Sequence, residues 1–457
     1  MGESPLNVGK ICRYLELYPV RARANELKEG LINGFRLNYT GPRNFQFSKN
    51  LISAYEHSIE LSAKLCKEIE LGRIAGPFAQ RPISNLHISP IGVVPKSDGG
   101  WRLITHLSYP RTKGINSFIH PDLCTVNYTS VDNVIDKLLS LGKGSLMAKM
   151  DIKSAFRLLR INPGDFDLLG YYFNNCFYID KCLPMGCAIS CNLFEKFSTF
   201  LHWIIEYNSG CSSFDHYLDD FIFMGSSDSI DCSMLMSVFT DLCNEIGVPV
   251  ASEKTVGPLT RLTFLGLEID SVDYCLRIPN EKIVKLITLL KSIMERKKVT
   301  LHDLQTLTGS LNFVCRAVRP GRAFLRRMYD SMCGIKEKHH HIRINKSLRE
   351  DMSMWLHFLE NFNGVTLFPE KEWFCNETLD LYTDSAGGAL LGCGAYFAGQ
   401  WVYYGWPDIW EKSSILADVT FLELIPVVIA LELWGPQFAN KKLLLHIDNL
   451  ALIIELC

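Results

Sequence analysis

The chain lacks a CxxC pair, although it carries 16 cysteines, and its tightest cysteine spacings are Cys182 to Cys187 and Cys187 to Cys191. Zinc-ribbon spacing is thereby excluded, and a reduced, mostly buried set of thiols in a reducing compartment is expected. Long uninterrupted apolar runs are also missing: "IPVVIALELW" is broken by an acid, and "MGESPLNVGKICRYLE" offers no continuous apolar stretch. No signal peptide and no membrane partner are expected, which leaves an intracellular, soluble protein of the cytoplasm or nucleus. A myristoylation signal is missing too, because Leu6 stands where serine or threonine is needed. There is no internal repeat, no low-complexity tract and no large charge excess, the net charge being −2. Nothing in these features sets the oligomeric state.

What is present is a chain of 457 residues, 47% hydrophobic, enough for two to four domains with substantial cores. Its charge is unevenly spread. Residues Glu281 to Asp330 hold 11 Lys/Arg against 4 Asp/Glu, whereas Thr378 to Cys457 hold 3 against 9. One region therefore attracts phosphates and another suits cations. The tract His339, His340, His341 has no cysteine or acid partners at ligand spacing and reads as a solvated basic linker.

Residues 1–78 read as a helical extension, with "LISAYEHSIELSAKLCKEIELGRI" its clearest helix. The next segment, "SPIGVVPKSDGGWRLITHLS", is two apolar runs joined by Ser97-Asp98-Gly99-Gly100, a hairpin signal. Mixed α/β texture continues to residue 280 and closes in "LTFLGLEIDSVDYCLRIP", which reads as paired strands. Residues 281–377 turn helical, with Ile283, Leu286, Ile287, Leu290 and Met294 on one face and a capping box from Thr300 to Asp303. From residue 378 a glycine-punctuated set of strands, an apolar helix and the strand "KKLLLHIDN" form a further domain.

Two central segments share one local logic, an acid at the end of an apolar strand: Asp151 in "SLMAKMDIKSAF", and Asp219 and Asp220 in "HYLDDFIFMG". Semi-buried carboxylates are costly unless a cation neutralises them. By itself "LDD" also suits a plain hairpin turn, where Asp is a favoured residue. Taken with Asp151, it suits the carboxylate cage for the paired divalent ions of phosphoryl transfer. Between these acids, Pro184-Met185-Gly186 makes a turn before a helix, and a glycine there lets backbone approach a base or sugar.

In order, "VVPKSDGGWRL", "MDIKSAF", "LPMG", "YLDD", "ASEKTVG" and "LTFLGLEI" resemble the fingers and palm motifs of reverse transcriptases over residues 79–280. Within that family, "HLSYPRTKGIN" and "KCLPMGCAISCNLFEKFSTFLHW" look most like DIRS-type retroelements, which integrate with a tyrosine recombinase. The resemblance implies an α+β right-hand polymerase of fingers, palm and thumb, followed by a truncated ribonuclease H-like α/β domain. It implies two Mg²⁺ or Mn²⁺ ions held by Asp151, Asp219 and the carbonyl of Ile152, with Asp220 assisting. Phe156 falls at the family's aromatic gate beneath the sugar, Lys96 and Arg102 on the triphosphate, and Lys254 at the lysine that protonates departing pyrophosphate. Met185 departs from the glutamine of retroviral enzymes, so sugar recognition must differ there, while the backbone of Gly186 stays available.

Arg316, Arg319, Arg322, Arg326 and Arg327 follow the palm-like region and would line a thumb that tracks a duplex backbone. Asp384, Glu423 and Asp448 resemble, in order and setting, the acids of ribonuclease H, implying a second metal pair. The family's fourth acid and its histidine lie beyond Cys457, so an incomplete, weakly active or inactive nuclease is expected unless the chain is part of a longer polyprotein. The partners implied are an RNA template, a DNA primer, their hybrid and deoxynucleoside triphosphates. Two other readings compete with the DNA polymerase: an RNA-copying polymerase, and a non-catalytic nucleic-acid-binding remnant or co-opted element copy.

Overall fold

In the computed structural model the described residues are 1–96, 99–361, 366–367, 378–388, 390–438, 442–450 and 452. They fall into two compact units, Met1–Phe368 and Pro369–Cys457.

The N-terminal helices of the first unit are not a loose extension. Val8–Leu17 is capped by the Asn7 side chain, which accepts from the Lys10 amide. Its Ile11 and Leu15, one turn apart, are buried. Tyr18 then sets its ring edge-on to Phe200 and Trp203, at 5.3 and 5.2 Å. The single helix expected over "LISAYEHSIELSAKLCKEIELGRI" is two, Ile52–Glu56 and Ser58–Glu70, because His57 leaves helical geometry at φ −121°, ψ 46°. Its last residue is already strand, Ile74 opening Ile74–Phe78.

β1 (Ile91–Pro95) and β2 (Trp101–Thr105) pair antiparallel in the expected hairpin, with Val94 opposite Arg102. Ser97 and Asp98 lie outside the described residues. A separate five-stranded sheet, ordered Gln46–Phe47, His87–Ile88, Gly170–Phe173, Cys176–Asp180 and Ile74–Phe78, adjoins the chain leading into the hairpin.

The central sheet runs β6–β3–β5–β4, where β3 is Leu146–Asp151, β4 Phe214–Tyr217, β5 Asp220–Gly225 and β6 Val256–Leu259. Its two central strands, β3 and β5, carry core residues on both faces, which is why they read as near-continuous apolar runs rather than alternating ones. Ala148, Met150, Phe221 and Phe223 belong to one core, shared with helices α2 (Ser190–Ser209) and α3 (Asp231–Ile246). Met147, Ile222 and Met224 belong to another, shared with α1 (Val131–Leu141) and the helices beyond residue 280.

That second core also takes in the antiparallel strands Arg261–Phe264, Leu267–Asp270 and Cys275–Arg277 and the fully buried Trp355. A Cβ on Gly321 would sit 2.4 Å from the Trp355 ring, so only glycine fits there. Helix Leu301–Val314 starts with the capping box read from the sequence: Thr300 Oγ1 accepts from the Asp303 amide, and Asp303 accepts from the Thr300 amide. The histidine tract is not all linker, since His341–Arg343 pairs with Lys298–Thr300 as a short ribbon.

In the second unit, Thr378–Ser385, Gly392–Phe397 and Gln400–Gly405 are antiparallel neighbours, and Lys442–His446 joins parallel to the first. Helix Val419–Phe438 makes the parallel connection. By length and composition alone that helix could cross a membrane. It lies instead on the sheet, with Ala430, Trp434 and Phe438 packed on Leu381, Ala395 and Phe397. The described cysteines carry free thiols.

The N-terminal helices should therefore contribute to the stability of the first unit. Tyr18→Ala is expected to cost about 2–4 kcal/mol in equilibrium unfolding, the range for truncating a buried aromatic ring. A change below about 0.5 kcal/mol, the scale of a surface substitution, would show that these helices are merely appended.

Candidate active site

Register brings the acids together. Asp151, last in β3, stands directly opposite Asp220, first in β5. Opposed residues of an antiparallel pair point their side chains to the same face. Asp219 occupies the two-residue turn from β4 to β5, and its carbonyl accepts from the Ile152 amide at 3.0 Å. The turn begins at Leu218 with φ 55°, a left-handed conformation that a branched side chain rarely adopts. Strain of this kind persists only where the surroundings fix it. The "LDD" motif is thus both of the things its sequence allowed, a hairpin turn and one wall of a carboxylate cluster.

Two lysines hold two of the three acids. Lys254 Nζ donates to Asp151 Oδ2 at 3.0 Å from the short helical turn Ser252–Lys254. Lys149, two residues before Asp151 on β3, lies with Nζ 3.3 Å from Asp220 Oδ1. Burial raises the pKa of Asp151, Lys254 opposes that rise, and the charge of Asp220 adds to it. Burial, followed by the charge of Asp151, pushes Asp219 up to about 6. For Lys254 burial works to lower the pKa, but its hydrogen bond and attraction to Asp151, with Asp219 and Asp220, raise it overall.

Lys149 was missed in the sequence. Its signal was a lone charge inside the apolar run "LMAKMD".

Phe156, on a short turn after Asp151, is half-buried and packs on Phe194 at 5.2 Å. Met185 is exposed. Gly186 has φ 96°, and a Cβ there would meet the Thr105 carbonyl of β2 at 2.7 Å, so contact with the hairpin accounts for this glycine without a base or sugar. Asn116, another residue sequence reading missed, fixes the same loop. Its amide donates to the Gly186 carbonyl at 2.9 Å, and its oxygen accepts from the Ala188 amide at 2.8 Å. It closes the segment "HLSYPRTKGIN", but nothing in that segment signalled its role at Gly186. Lys96 and Arg102 are exposed on the β1–β2 hairpin.

The five arginines are all exposed but do not share one helix. Arg316 lies in the turn after Leu301–Val314, Arg319 and Arg322 in the 3₁₀ segment Arg319–Leu325, and Arg326 and Arg327 open Arg326–Met332. Arg327 is 3.0 Å from Asp351, and Arg316 is 3.9 Å from Asp132.

In the second unit, ligand oxygens of Asp384, Glu423 and Asp448 lie within 4.8 Å of one another. Glu423 is only 3% exposed, and its Oε2 has no hydrogen-bond partner. Burial raises its pKa, as do the charges of Asp448 and Asp384 against the bond from Ser385. A buried, unpartnered carboxylate oxygen facing two other acids fits a hard divalent cation. Asp151, Asp219 and Asp220 likewise offer only oxygen donors, and the charges of Asp151 and Asp220 add to the burial that raises the pKa of Asp219.

Residues 94–269 match the family model described as reverse transcriptase (RNA-dependent DNA polymerase). Protein P of Duck hepatitis B virus is 26% identical over 222 residues, covering 48% of this chain and 27% of the relative. The retrovirus-related Pol polyprotein from transposon 412 of Drosophila melanogaster is 27% identical over 221 residues, again 48% of this chain but 17% of the relative. The chain thus spans well under a third of the length of these curated relatives. Among solved structures, a foamy viral protease-reverse transcriptase in complex with double-stranded DNA aligns with a TM-score of 0.57 at 16% identity, over 92% of this chain and 67% of that one. The same protein with an RNA/DNA hybrid gives 0.55 at 14% identity, over 96% and 57%. The shared fold is that of a right-hand polymerase.

The pH dependence of the metal-free protein follows from Asp219. Its pKa in the fold lies above the ordinary carboxyl value, so below about pH 4 it is protonated folded or unfolded and burying it costs nothing. As pH rises through about 6, the folded state must carry a buried charge and loses stability. Asp219→Asn should therefore stabilise the metal-free protein at pH 7.5 by up to about 2 kcal/mol, after discounting for solvent screening, and do little at pH 4. Thermal melts at the two pH values check this, and a variant less stable at pH 7.5 would refute it.

Proposed function

We propose that this chain is the polymerase portion of an RNA-directed DNA polymerase of a retroelement, extending a primer 3′-hydroxyl with deoxynucleotides. The observation that carries this reading is the register of Asp151 against Asp220, with Asp219 at the adjoining turn, on strands that carry core residues on both faces. The family match over residues 94–269 and the right-hand fold support it. We assign residues 79–280 to fingers and palm and 281–377 to the thumb. The segments "HLSYPRTKGIN" and "KCLPMGCAISCNLFEKFSTFLHW" support a DIRS-type element.

Asp151, Asp219 and the Ile152 carbonyl are the donors we assign to two magnesium or manganese ions. When bound, such ions supply activation of the primer hydroxyl and neutralisation of the leaving pyrophosphate. The chain's own groups do the rest. Asp220, held by Lys149, contributes charge from beside the site. Lys254 stays protonated beside Asp151 and can give its proton to pyrophosphate. Lys96 and Arg102 reach for the triphosphate from the hairpin, the Arg fork suiting phosphate oxygens. Phe156 lies beyond Asp151, where its ring would exclude a 2′-hydroxyl. Met185 contributes only apolar contact, because a thioether donates no hydrogen bond. Arg319, Arg322 and Arg326 follow the duplex backbone, with Arg316 and Arg327 tied to acids at rest.

The second unit we assign to a ribonuclease H-like domain, with Asp384, Glu423 and Asp448 as its carboxylates. Metal-dependent cleavage of the RNA strand of a hybrid tests this assignment: whatever such activity the chain has, weak as the sequence leads one to expect, should be lost in Asp384→Asn.

Primer extension on an RNA template tests the polymerase. Asp151→Ala and Asp219→Ala should each lower the rate by roughly 10²–10³-fold or more, the scale for removing preorganised charge stabilisation. Asp220→Ala should lower it less than either. Full synthesis by Asp219→Ala would sink the site assignment, and tight hybrid binding without extension by the unaltered chain would favour the non-catalytic alternative.

A further inference from the structure

Behind the catalytic hairpin lies a second polar cluster that the polymerase chemistry does not use. Helix α2 presents Glu195 and His202, seven residues apart and so on one face. Edge strand β4 presents Asp215 and His216. His202 Nδ1 and His216 Nδ1 are 2.9 Å apart, and one ligand atom from each of His202, Asp215 and His216 lies within 4.8 Å of the others. The far nitrogen of His216, Nε2, is 3.2 Å from Glu195 Oε1, and the His216 side chain is 8% exposed. Neither His216 Nε2 nor the other Glu195 oxygen has a hydrogen-bond partner, so the 3.2 Å approach is a contact of charge type rather than a made hydrogen bond. Phe214 packs against His202 and Phe221 against His216.

We propose that His202, His216 and Asp215 form a binding site for a zinc-type divalent cation, with Glu195 orienting His216 from behind. The donor chemistry selects the ion: two imidazole nitrogens and one carboxylate suit zinc, cobalt or nickel, whereas magnesium and calcium prefer oxygen alone. A carboxylate on the far nitrogen of a ligating histidine is the usual outer-shell partner, fixing tautomer and ring orientation. A histidine pair that merely shares one proton accounts for the 2.9 Å contact; what it leaves over is a carboxylate, Asp215, within 4.8 Å of both rings, one oxygen of which accepts from the His216 amide.

One charge faces the site from the neighbouring helix. Lys137 of α1 is 3.1 Å from Asp215 Oδ2 and also donates to the Phe214 carbonyl. It competes with the metal for Asp215 and keeps a partner when displaced. The ion would tie α2 to β4, the strand that leads into Leu218 and Asp219.

Cobalt(II) is the probe, titrated into the full metal-stripped chain with excess magnesium present to fill the all-oxygen sites. A saturable, one-equivalent visible absorption that zinc abolishes is expected. His202→Gln and His216→Gln should lose it. Glu195→Gln should weaken binding roughly 10–100-fold, the usual effect of removing such a partner. Lys137→Met should tighten it. The proposal fails if no saturable absorption appears, or if the two histidine variants bind as the parent does. Should those variants not fold, unchanged affinity in both Glu195→Gln and Lys137→Met overturns it. None of these readouts depends on polymerase activity.

Discussion

Three carboxylates at one edge of an apolar sheet repel one another and resist burial, and the antiparallel register of β3 with β5 leaves them no escape. Sliding one strand by a single residue would exchange Phe221 and Phe223 with Ile222 and Met224 between two differently shaped cores. Because β3 and β5 carry core residues on both faces, such a slip is penalised along the whole pair. Hydrophobic packing therefore holds Asp151 opposite Asp220 against their electrostatics. The two cores, the flanking helices and the N-terminal brace can all be understood as what makes that register rigid.

The acids are nevertheless not equivalent, and the lysines show why. Lys254 and Lys149 each stand beside one carboxylate, on Asp151 and Asp220, while Asp219 sits at the turn with burial and a like charge both pushing its proton affinity up. A divalent cation gains most where the existing neutralisation is poorest, since it relieves the largest unfavourable term. On the metal assignment proposed above, Asp219 would be the residue whose environment changes most, and Asp220, with Lys149 at 3.3 Å, would change less. The same logic recurs in the second unit, where Glu423 is the buried member and Asp384 and Asp448 are exposed.

What could be read from the sequence was what period and order encode. Apolar runs ending in acids, the hairpin around Gly99 and Gly100, the Thr300–Asp303 cap and the three acids beyond residue 378 each announce themselves within a few residues. The break at His57 did not, because nothing in "YEHSIE" signals it locally. Gly186 was legible as a special backbone position but not for its reason, which is a carbonyl 81 residues earlier in the chain, at Thr105. Asn116 and Lys149 act across strands and loops that only the fold brings together, and the five arginines look like one helical face until the chain bends between them. Local chemistry was visible; the identity of each long-range partner was not.

Leu218 carries this one step further. A left-handed leucine must be over-determined by its surroundings, yet β4, the strand that delivers it, is an edge strand with a single hydrogen-bonded neighbour. Backbone pairing alone gives such a strand little resistance to fraying or twisting. The resistance has to come from side chains, and all four of β4 are attached: Phe214 in the core, Asp215 to Lys137, His216 to Glu195 and His202, and Tyr217 to Tyr128. Two of those attachments are polar and lie close together, so their strength depends on protonation and on any ion they hold. The geometry of Asp219 is thus set from two directions, by the apolar register of β3 with β5 and by the polar anchoring of β4.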